Sequence, residues 1–162
     1  MSTIESEFSR TIRMQNLTGS LLRDFLSHPI RPEDLAEWQD AGLDPQADLP
    51  DMLDKAIDVR CAVDDSKGTP ECVAIWATSV SEGIGTLMLI GGDRPELVMA
   101  IHQEFSRDEW HRIKLLAPVL QCYPSVKNKT HLKWVEHFGF KADGKPLVIG
   151  KGKYQRYVFT GE

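Results

Sequence analysis

Residues 128–140 read NKTHLKWVEHFGF and join a polar residue, a short amphipathic segment and a Gly-Phe exit. Leu132, Val135 and Phe138 are spaced three residues apart, which predicts one apolar face of a helix. Gly139 follows directly and can adopt the positive φ that ends many helices. We therefore expect a helix that begins at the asparagine and stops at the glycine, after which the last phenylalanine re-enters the core.

The residues before this helix divide into a helical first third and a sheet-forming middle. In the first third, the pattern predicts a strand over Phe8–Gln15 followed by three helices. The helices are predicted over Leu17–Leu26, from Pro32-Glu33-Asp34 to Gly42, and from about Pro50-Asp51 onward. The period then changes to that of strands, which are predicted at Val59–Val63, Glu71–Ser79 and Thr86–Ile90.

The third of these strands differs from the others because Leu87 to Ile90 is apolar on both faces. This pattern predicts a central strand that helices cover on each side. Asp93 and Glu96 after it have the spacing of a helix cap, and the apolar pattern predicts a long helix to about Ile113. The remaining predicted elements are a strand at Pro118–Tyr123 and a closing hairpin of Leu147–Ile149 with Tyr154–Phe159.

Composition limits the classes of function. A chain of 162 residues with 41% hydrophobic residues suits one domain, over 1–162, with a sizeable core. The net charge of −5 argues against a nucleic-acid partner, because a phosphate backbone requires a basic face. The three cysteines form no disulfide or zinc pattern, and no apolar run is long enough for a membrane span. We expect a cytoplasmic protein with no membrane partner.

The order of the predicted elements resembles that of the GNAT superfamily of N-acyltransferases along nearly the whole chain. Within it, the chain resembles small GNAT-like proteins of tailed phages, of the internal-virion type. Three stretches carry this resemblance: Arg31–Leu35 with Gly42–Pro45, Leu89–Asp93, and Tyr123–Phe140. The resemblance implies an α/β (α+β) fold with a mixed, mostly antiparallel twisted sheet and helices on both faces.

The resemblance also implies acetyl-CoA as a cofactor and assigns residues to it. In the superfamily, backbone N–H groups at the start of the long helix hold the diphosphate, and the pantetheine arm lies between two splayed strands. The cofactor-binding residues implied here are Leu89, Ile90, Gly91, Gly92, Arg94 and Asn128. The usual Arg/Gln-x-x-Gly-x-Gly/Ala pattern is absent, and Asp93 brings a carboxylate to the phosphate position.

Two of these assignments have alternatives that the residues leave open. The glycine pair can be a simple turn in which Asp93 caps the helix. Asn128 can be the N-cap of its own helix, and this role is compatible with a contact to the arm.

The catalytic residues are implied with less support from the pattern. Many GNAT enzymes carry a tyrosine seven residues beyond the asparagine to protonate the leaving thiolate, and Val135 occupies that place here. Tyr123 and His131 are the nearest replacements, since a histidine titrates near neutral pH. A histidine on a helix is more often a surface or capping residue.

Two functions follow from the resemblance. The first is an acyltransferase, encoded by a phage, that moves acetyl from acetyl-CoA to an amine of a small molecule or protein. The second is a catalytically degenerate GNAT-fold binding protein that docks on a host or virion protein, in the host cytoplasm. Fold alone does not decide between them.

Overall fold

The computed structural model describes residues 11–161. The helices are α1 (Gly19–Ser27), α2 (Pro32–Asp40), α3 (Pro45–Asp54), α4 (Val98–Glu104), α5 (Trp110–Ile113) and α6 (Lys129–His137). The strands are β1 (Ile12–Asn16), β2 (Asp58–Asp64), β3 (Glu71–Ser81), β4 (Ile84–Gly91), β5 (Val119–Cys122), β6 (Lys141–Ala142), β7 (Leu147–Ile149), β8 (Gly152–Tyr154) and β9 (Tyr157–Phe159). Phe8, where the first strand was predicted to begin, lies outside the described residues.

Seven strands form one sheet in the order β1-β2-β3-β4-β5-β9-β6. Every neighbouring pair is antiparallel except β4 and β5, which run parallel. The prediction of a mixed, mostly antiparallel sheet with α/β (α+β) character is confirmed.

The core lies on both faces of this sheet. One face carries a cluster that includes Trp76, Leu97, Phe105, Trp110 and Phe140, supplied by the segment from Pro95 to Ile113 and the chain after α6. The other face packs α1, α2 and α3 through residues that include Phe25, Trp38 and Leu49. Leu87 and Leu89 contact the first cluster, and Met88 and Ile90 contact the second. The prediction that β4 is covered on both faces is therefore confirmed.

The contact between β4 and β5 is short and fixes where the two strands separate. Only Ile84, Gly85 and Thr86 pair with β5, opposite residues 119–121. Beyond Thr86, β4 continues to Gly91 with no described strand beside it on that side. The two strands therefore splay, and a gap opens between them.

The third helix differs from its prediction because it begins at Pro45 and not near Pro50. The Asp44 side chain accepts a hydrogen bond from the backbone N–H of Gln46, which caps the helix, and Pro45 takes the first helical position. The second proline thus lies inside a helix that the first proline had already started.

The predicted long helix is broken into segments. It opens with a 3₁₀ turn at Pro95–Leu97 and changes to a π-helical segment at Phe105–Glu109 between α4 and α5. The predicted Asp93 cap was wrong, since the residues at the starts of the 3₁₀ turn and of α4 make no side-chain cap hydrogen bond.

The predicted terminal hairpin is confirmed around Gly150, where Leu147 pairs with Tyr154, but it was wrong for the end of its second strand. β7 pairs with β8, and β9 instead joins the main sheet between β5 and β6. Two residues between β8 and β9 let the chain leave the hairpin and enter the sheet, a change that the spacing of the glycines did not reveal. No helix in residues 11–161 is long and apolar enough to cross a membrane.

Gly85→Ala tests the close contact at which the strands begin to separate. A Cβ at this position would lie 2.8 Å from a Leu120 methyl and 3.3 Å from both Ala117 and Thr78 side chains. We expect the free energy of unfolding in urea to fall by about 1–3 kcal/mol, because the added methyl group overpacks this contact. Gly19→Ala is the control, since its Cβ meets nothing closer than 3.6 Å in a helix. Equal stability of the two variants would contradict this packing.

Candidate functional site

The gap between β4 and β5 opens into a cavity with a volume of about 360 Å3. Its lining comes from both strands, from α2 and α6, and from the π-helical segment. The aromatic residues that line it are Trp38, Trp76, Phe105, Trp110, Tyr123, Trp134, Phe138, Phe140 and Tyr154. A mainly apolar cleft with a few polar groups is the usual form of a small-molecule site.

One wall of the gap is the unpaired edge of β4. Residues Leu87 to Ile90 pair with β3 on one side only. In a strand, alternate residues direct their N–H and C=O groups to the same side, so part of this backbone faces the gap. These groups can form hydrogen bonds with an extended chain that adds to the sheet as a further strand.

A cluster of charged and polar residues lies beside the cavity; we call it the Asp34 cluster. Its members are Arg31, Asp34, Glu37, Asn128 and His131. Asp34 Oδ1 accepts from an Arg31 Nη at 2.6 Å and from Asn128 Nδ2 at 2.9 Å, and lies 3.1 Å from His131 Nε2. The other ring nitrogen, His131 Nδ1, lies 3.3 Å from Glu37 Oε1. Asp34 and Asn128 are both only 1% exposed.

The cluster holds Asp34 and His131 in their charged forms. Burial disfavours the imidazolium of His131, but hydrogen bonds to Asp34 and Glu37 outweigh burial and raise the pKa of His131 to about 9. Burial also raises the pKa of Asp34, but the His131 hydrogen bond, together with the charges of His131 and Arg31, holds that pKa well below its usual range. At neutral pH Asp34 is thus a carboxylate and His131 an imidazolium, both of whose ring nitrogens donate.

The glycine turn after β4 has its backbone donors engaged by the protein itself. Gly91 N–H donates to Asp34 Oδ2 at 2.7 Å, and Gly92 N–H donates to the Val73 carbonyl at 2.8 Å. The next N–H, that of Asp93, donates to the Pro29 carbonyl at 2.9 Å. An anion at this turn would have to replace these acceptors, one of which is an ionised carboxylate.

Arg94 is engaged as well. Its guanidinium forms ion pairs with Asp64, Glu71 and Glu96, and the Asp64 contact is 3.0 Å. Burial of the guanidinium is outweighed by these hydrogen bonds and charges, and the pKa of Arg94 is raised above its ordinary value. Three carboxylates thus surround the one cation of the turn.

The structure places the predicted site residues in four different settings. Leu89, Tyr123 and His131 line the cavity. The Tyr123 hydroxyl donates to Gln121 Oε1 at 3.3 Å. Ile90 is fully buried against the helices α1 to α3.

Gly91, Gly92 and Arg94 lie apart from that cavity, around a second one of about 40 Å3. Leu89, His131 and Trp134 line both cavities and therefore stand between them.

Asn128 caps α6, as one of its two alternative roles predicts. Its Oδ1 accepts from the backbone N–H of His131 at 3.4 Å, while its Nδ2 donates to Asp34 and Glu37. The helix ends at His137, and Gly139 has a φ of +91°, as predicted.

Sequence reasoning missed the carboxylates of Asp34 and Glu37. Both stand on α2, a segment for which the sequence predicted a helix and no role in a site. Their three-residue spacing placed both carboxylates on one helix face. That spacing is the signal that was available, but nothing local indicated that the face meets His131.

Comparison with known proteins supports the fold. No protein-family model matches the sequence, and no curated protein sequence matches it significantly. Solved structures do match over most of both chains. The ribosomal-protein-S18-alanine N-acetyltransferase from Escherichia coli is 13% identical with a TM-score of 0.59, and the match covers 91% of this chain and 92% of that one.

Two further matches are enzymes solved with coenzyme A. AAC(6')-Ib, in complex with ribostamycin and coenzyme A, is 15% identical with a TM-score of 0.65, covering 93% of this chain and 94% of that one. Spermidine N-acetyltransferase from Vibrio cholerae, in complex with CoA and spermine, is 12% identical with a TM-score of 0.60, covering 93% and 95%. The chain therefore has the fold of GNAT N-acetyltransferases.

The charged state of His131 predicts a pH dependence of stability. Its pKa is about 9 in the folded protein against 6.5 for an ordinary histidine. The stabilisation is therefore complete below about pH 6.5 and is lost as the pH rises through 9. We expect His131→Gln to have a lower free energy of unfolding than the wild type at pH 6. This difference between wild type and variant should decrease by about 3 kcal/mol between pH 6 and pH 9.5.

His111→Gln is the matched control, because His111 is exposed. It should stay within about 0.5 kcal/mol of the wild type across the same range. The measurement is urea unfolding at a series of pH values. A constant difference between the wild type and His131→Gln would show that the histidine is not held as a cation.

Proposed function

We propose that the protein is an acyltransferase of the GNAT type, which transfers an acetyl group from a pantetheine thioester such as acetyl-CoA to an amine. The observation that carries this proposal is the gap beyond Thr86, where β4 leaves β5 and a cavity of about 360 Å3 lies between them. The GNAT fold supports the same class of reaction. The acceptor amine belongs to a small molecule or to a protein.

The residues of the gap fit the arm of such a donor. When bound, the donor supplies an acyl group as an activated thioester. The unpaired backbone of Leu87 to Ile90 is placed to bind an extended arm, and Leu89 borders the cavity in which the acyl group would lie. The mainly apolar wall offers few hydrogen-bond partners to water at that place.

Proton transfer is assigned to Tyr123. Its hydroxyl stands at the end of β5, lines the cavity, and keeps one hydrogen bond to Gln121. A phenol there can protonate a leaving thiolate. His131 has both ring nitrogens beside carboxylates, so we assign it a positive charge near the cavity and not the role of a base.

The diphosphate end of CoA does not fit the glycine turn as it stands. Gly91 and Gly92 have their N–H groups bound to Asp34 and Val73, and Arg94 is held by three carboxylates. The proposal therefore rests on the arm and the acyl group, and not on a phosphate contact.

The occupied turn also favours a second function. In this alternative the chain is a GNAT-fold binding protein without transferase activity that docks on a host or virion protein, as the resemblance to phage proteins implies. β7 offers a contact, since Leu147, Val148 and Ile149 are 48%, 71% and 43% exposed. This function requires that no acyl donor support transfer.

Thermal unfolding with donor analogues tests the first function. We expect S-acetylpantetheine at 100 times its Kd to stabilise the protein by about 2.7 kcal/mol. For a domain of this size the increase in Tm is about 5–11 °C. Acetyl-CoA should give a shift of similar size. The absence of a shift with either compound at millimolar concentration would favour the second function.

Tyr123→Phe tests the assigned proton donor. Acetyl transfer to a panel of amines is measured by mass spectrometry. We expect kcat to fall about 100-fold or more, because the leaving thiolate loses its proton donor. The Kd of S-acetylpantetheine should be unchanged. Tyr157→Phe is the control, since that hydroxyl donates to Glu136 and does not line the cavity. Equal kcat values for the two variants would remove Tyr123 from the reaction.

A further inference from the structure

The wall of the cavity is almost entirely apolar. Of its lining residues, only Glu37 and His131 carry a carboxylate or an imidazole, and these two groups face each other at 3.3 Å. Glu37 Oε2 in addition accepts from the backbone N–H of Ser125 at 2.7 Å and from Asn128 Nδ2. The charged atoms at the wall are therefore bound within the Asp34 cluster and its neighbours.

The aromatic content of the wall is high. All four tryptophans of the chain line this one cavity, at positions 38, 76, 110 and 134. Phe105, Phe138 and Phe140 add three more rings. Such a wall gains contact with apolar ligand surface and offers few hydrogen bonds to a polar one.

The mouth of the cavity is apolar too. Leu43, Met52 and Ile149 line the cavity and are 38%, 39% and 43% exposed. Leu147 and Val148 continue the same exposed strand beside them. Exposed apolar residues grouped in this way mark ligand grooves or protein contacts, and the place of these at the rim of a cavity favours a ligand.

The anchor for a nucleotide is missing at the other end. The N–H groups of the glycine turn are bound, and the ionised carboxylate of Asp34 lies 2.7 Å from Gly91 N. A diphosphate there would face this negative charge without a free donor. Binding energy must then come from the arm and the acyl group.

We infer that the cavity takes an apolar acyl group longer than acetyl, and that the protein holds its donor by this chain and not by the nucleotide of CoA. The inference rests on the proposed function, since it names the donor of that same site. Amines that are multiply charged, such as polyamines, do not fit inside this cavity, because no free carboxylate lines it.

Binding of a series of S-acyl-pantetheines, followed by the fluorescence of the tryptophans, tests the inference. Acetyl, butanoyl, hexanoyl and octanoyl esters are the probes. We expect one site per chain and a Kd that falls about fourfold for each added methylene until the cavity is full. Equal Kd values along the series, or tightest binding of the acetyl ester, would overturn it.

The same series as CoA esters tests the second half of the inference. Each CoA ester should bind with nearly the same Kd as the pantetheine ester of the same length. A diphosphate held by charge-assisted hydrogen bonds would instead make the CoA ester at least about tenfold tighter. That result would show that the glycine turn opens for the nucleotide.

A pair of variants on α6 locates the chain in the cavity. Val135→Trp places a large ring on the wall, and Lys133→Trp adds the same ring at an exposed position of the same helix. We expect Val135→Trp to weaken octanoyl binding by about tenfold or more and Lys133→Trp to leave it unchanged. Equal affinities of the two variants, both folded by circular dichroism, would overturn the assignment of the cavity.

The failures of the two proposals are distinguishable. If acetyl transfer occurs but affinity does not rise with chain length, the inference fails and the proposed function stands. If chain length controls affinity but no ester supports transfer, the apolar site stands and the transferase does not.

Discussion

The brevity of the parallel contact between β4 and β5 is the constraint on which the rest of the structure depends. The two strands share pairs only from Ile84 to Thr86, and Gly85 is the position at which they lie too close for a Cβ. Since β4 continues for five residues beyond this contact, its edge is left facing the cavity. A longer contact would close the sheet and leave no room for a ligand.

Whereas the edge of β4 is left open to a ligand, the Asp34 cluster closes the glycine turn at the end of β4 to an anion. A buried carboxylate needs partners, and Asp34 finds them in Arg31, Asn128 and His131. The same carboxylate also takes the N–H of Gly91. The cluster thereby joins α2, β4 and α6, and it uses the Gly91 donor, while the Gly92 donor is taken by the Val73 carbonyl, so that neither is left for an anion. The chain therefore keeps the fold of this turn, but the turn has no free N–H donor for a phosphate.

Much of the fold was predictable from local patterns. The helix after Asn128 and its end before Gly139 follow from spacing and from backbone freedom, and the two-faced burial of β4 follows from four consecutive apolar residues. The start of α3 was missed because a cap at Asp44 and a first proline compete with a later proline. The pairing of β9 depends on contacts between distant segments, which no local pattern contains.

The site was predictable only in part, for a similar reason. Leu89, Tyr123 and His131 do line the cavity, but the state of the glycine turn depends on Asp34, a residue 57 positions away from Gly91. The partners of His131 likewise come from α2. Spacing along the chain identifies candidate site residues. Whether a histidine is charged, or a backbone N–H is available to a ligand, depends on residues from another element.

The claim that the gap between β4 and β5 binds the ligand is tested most directly by an NMR titration of amide shifts with S-acetylpantetheine. We expect the largest shifts at Leu87 to Ile90 and at Tyr123, with little change from Gly91 to Arg94. Shifts confined to the glycine turn, or absent from the edge of β4, would contradict the account.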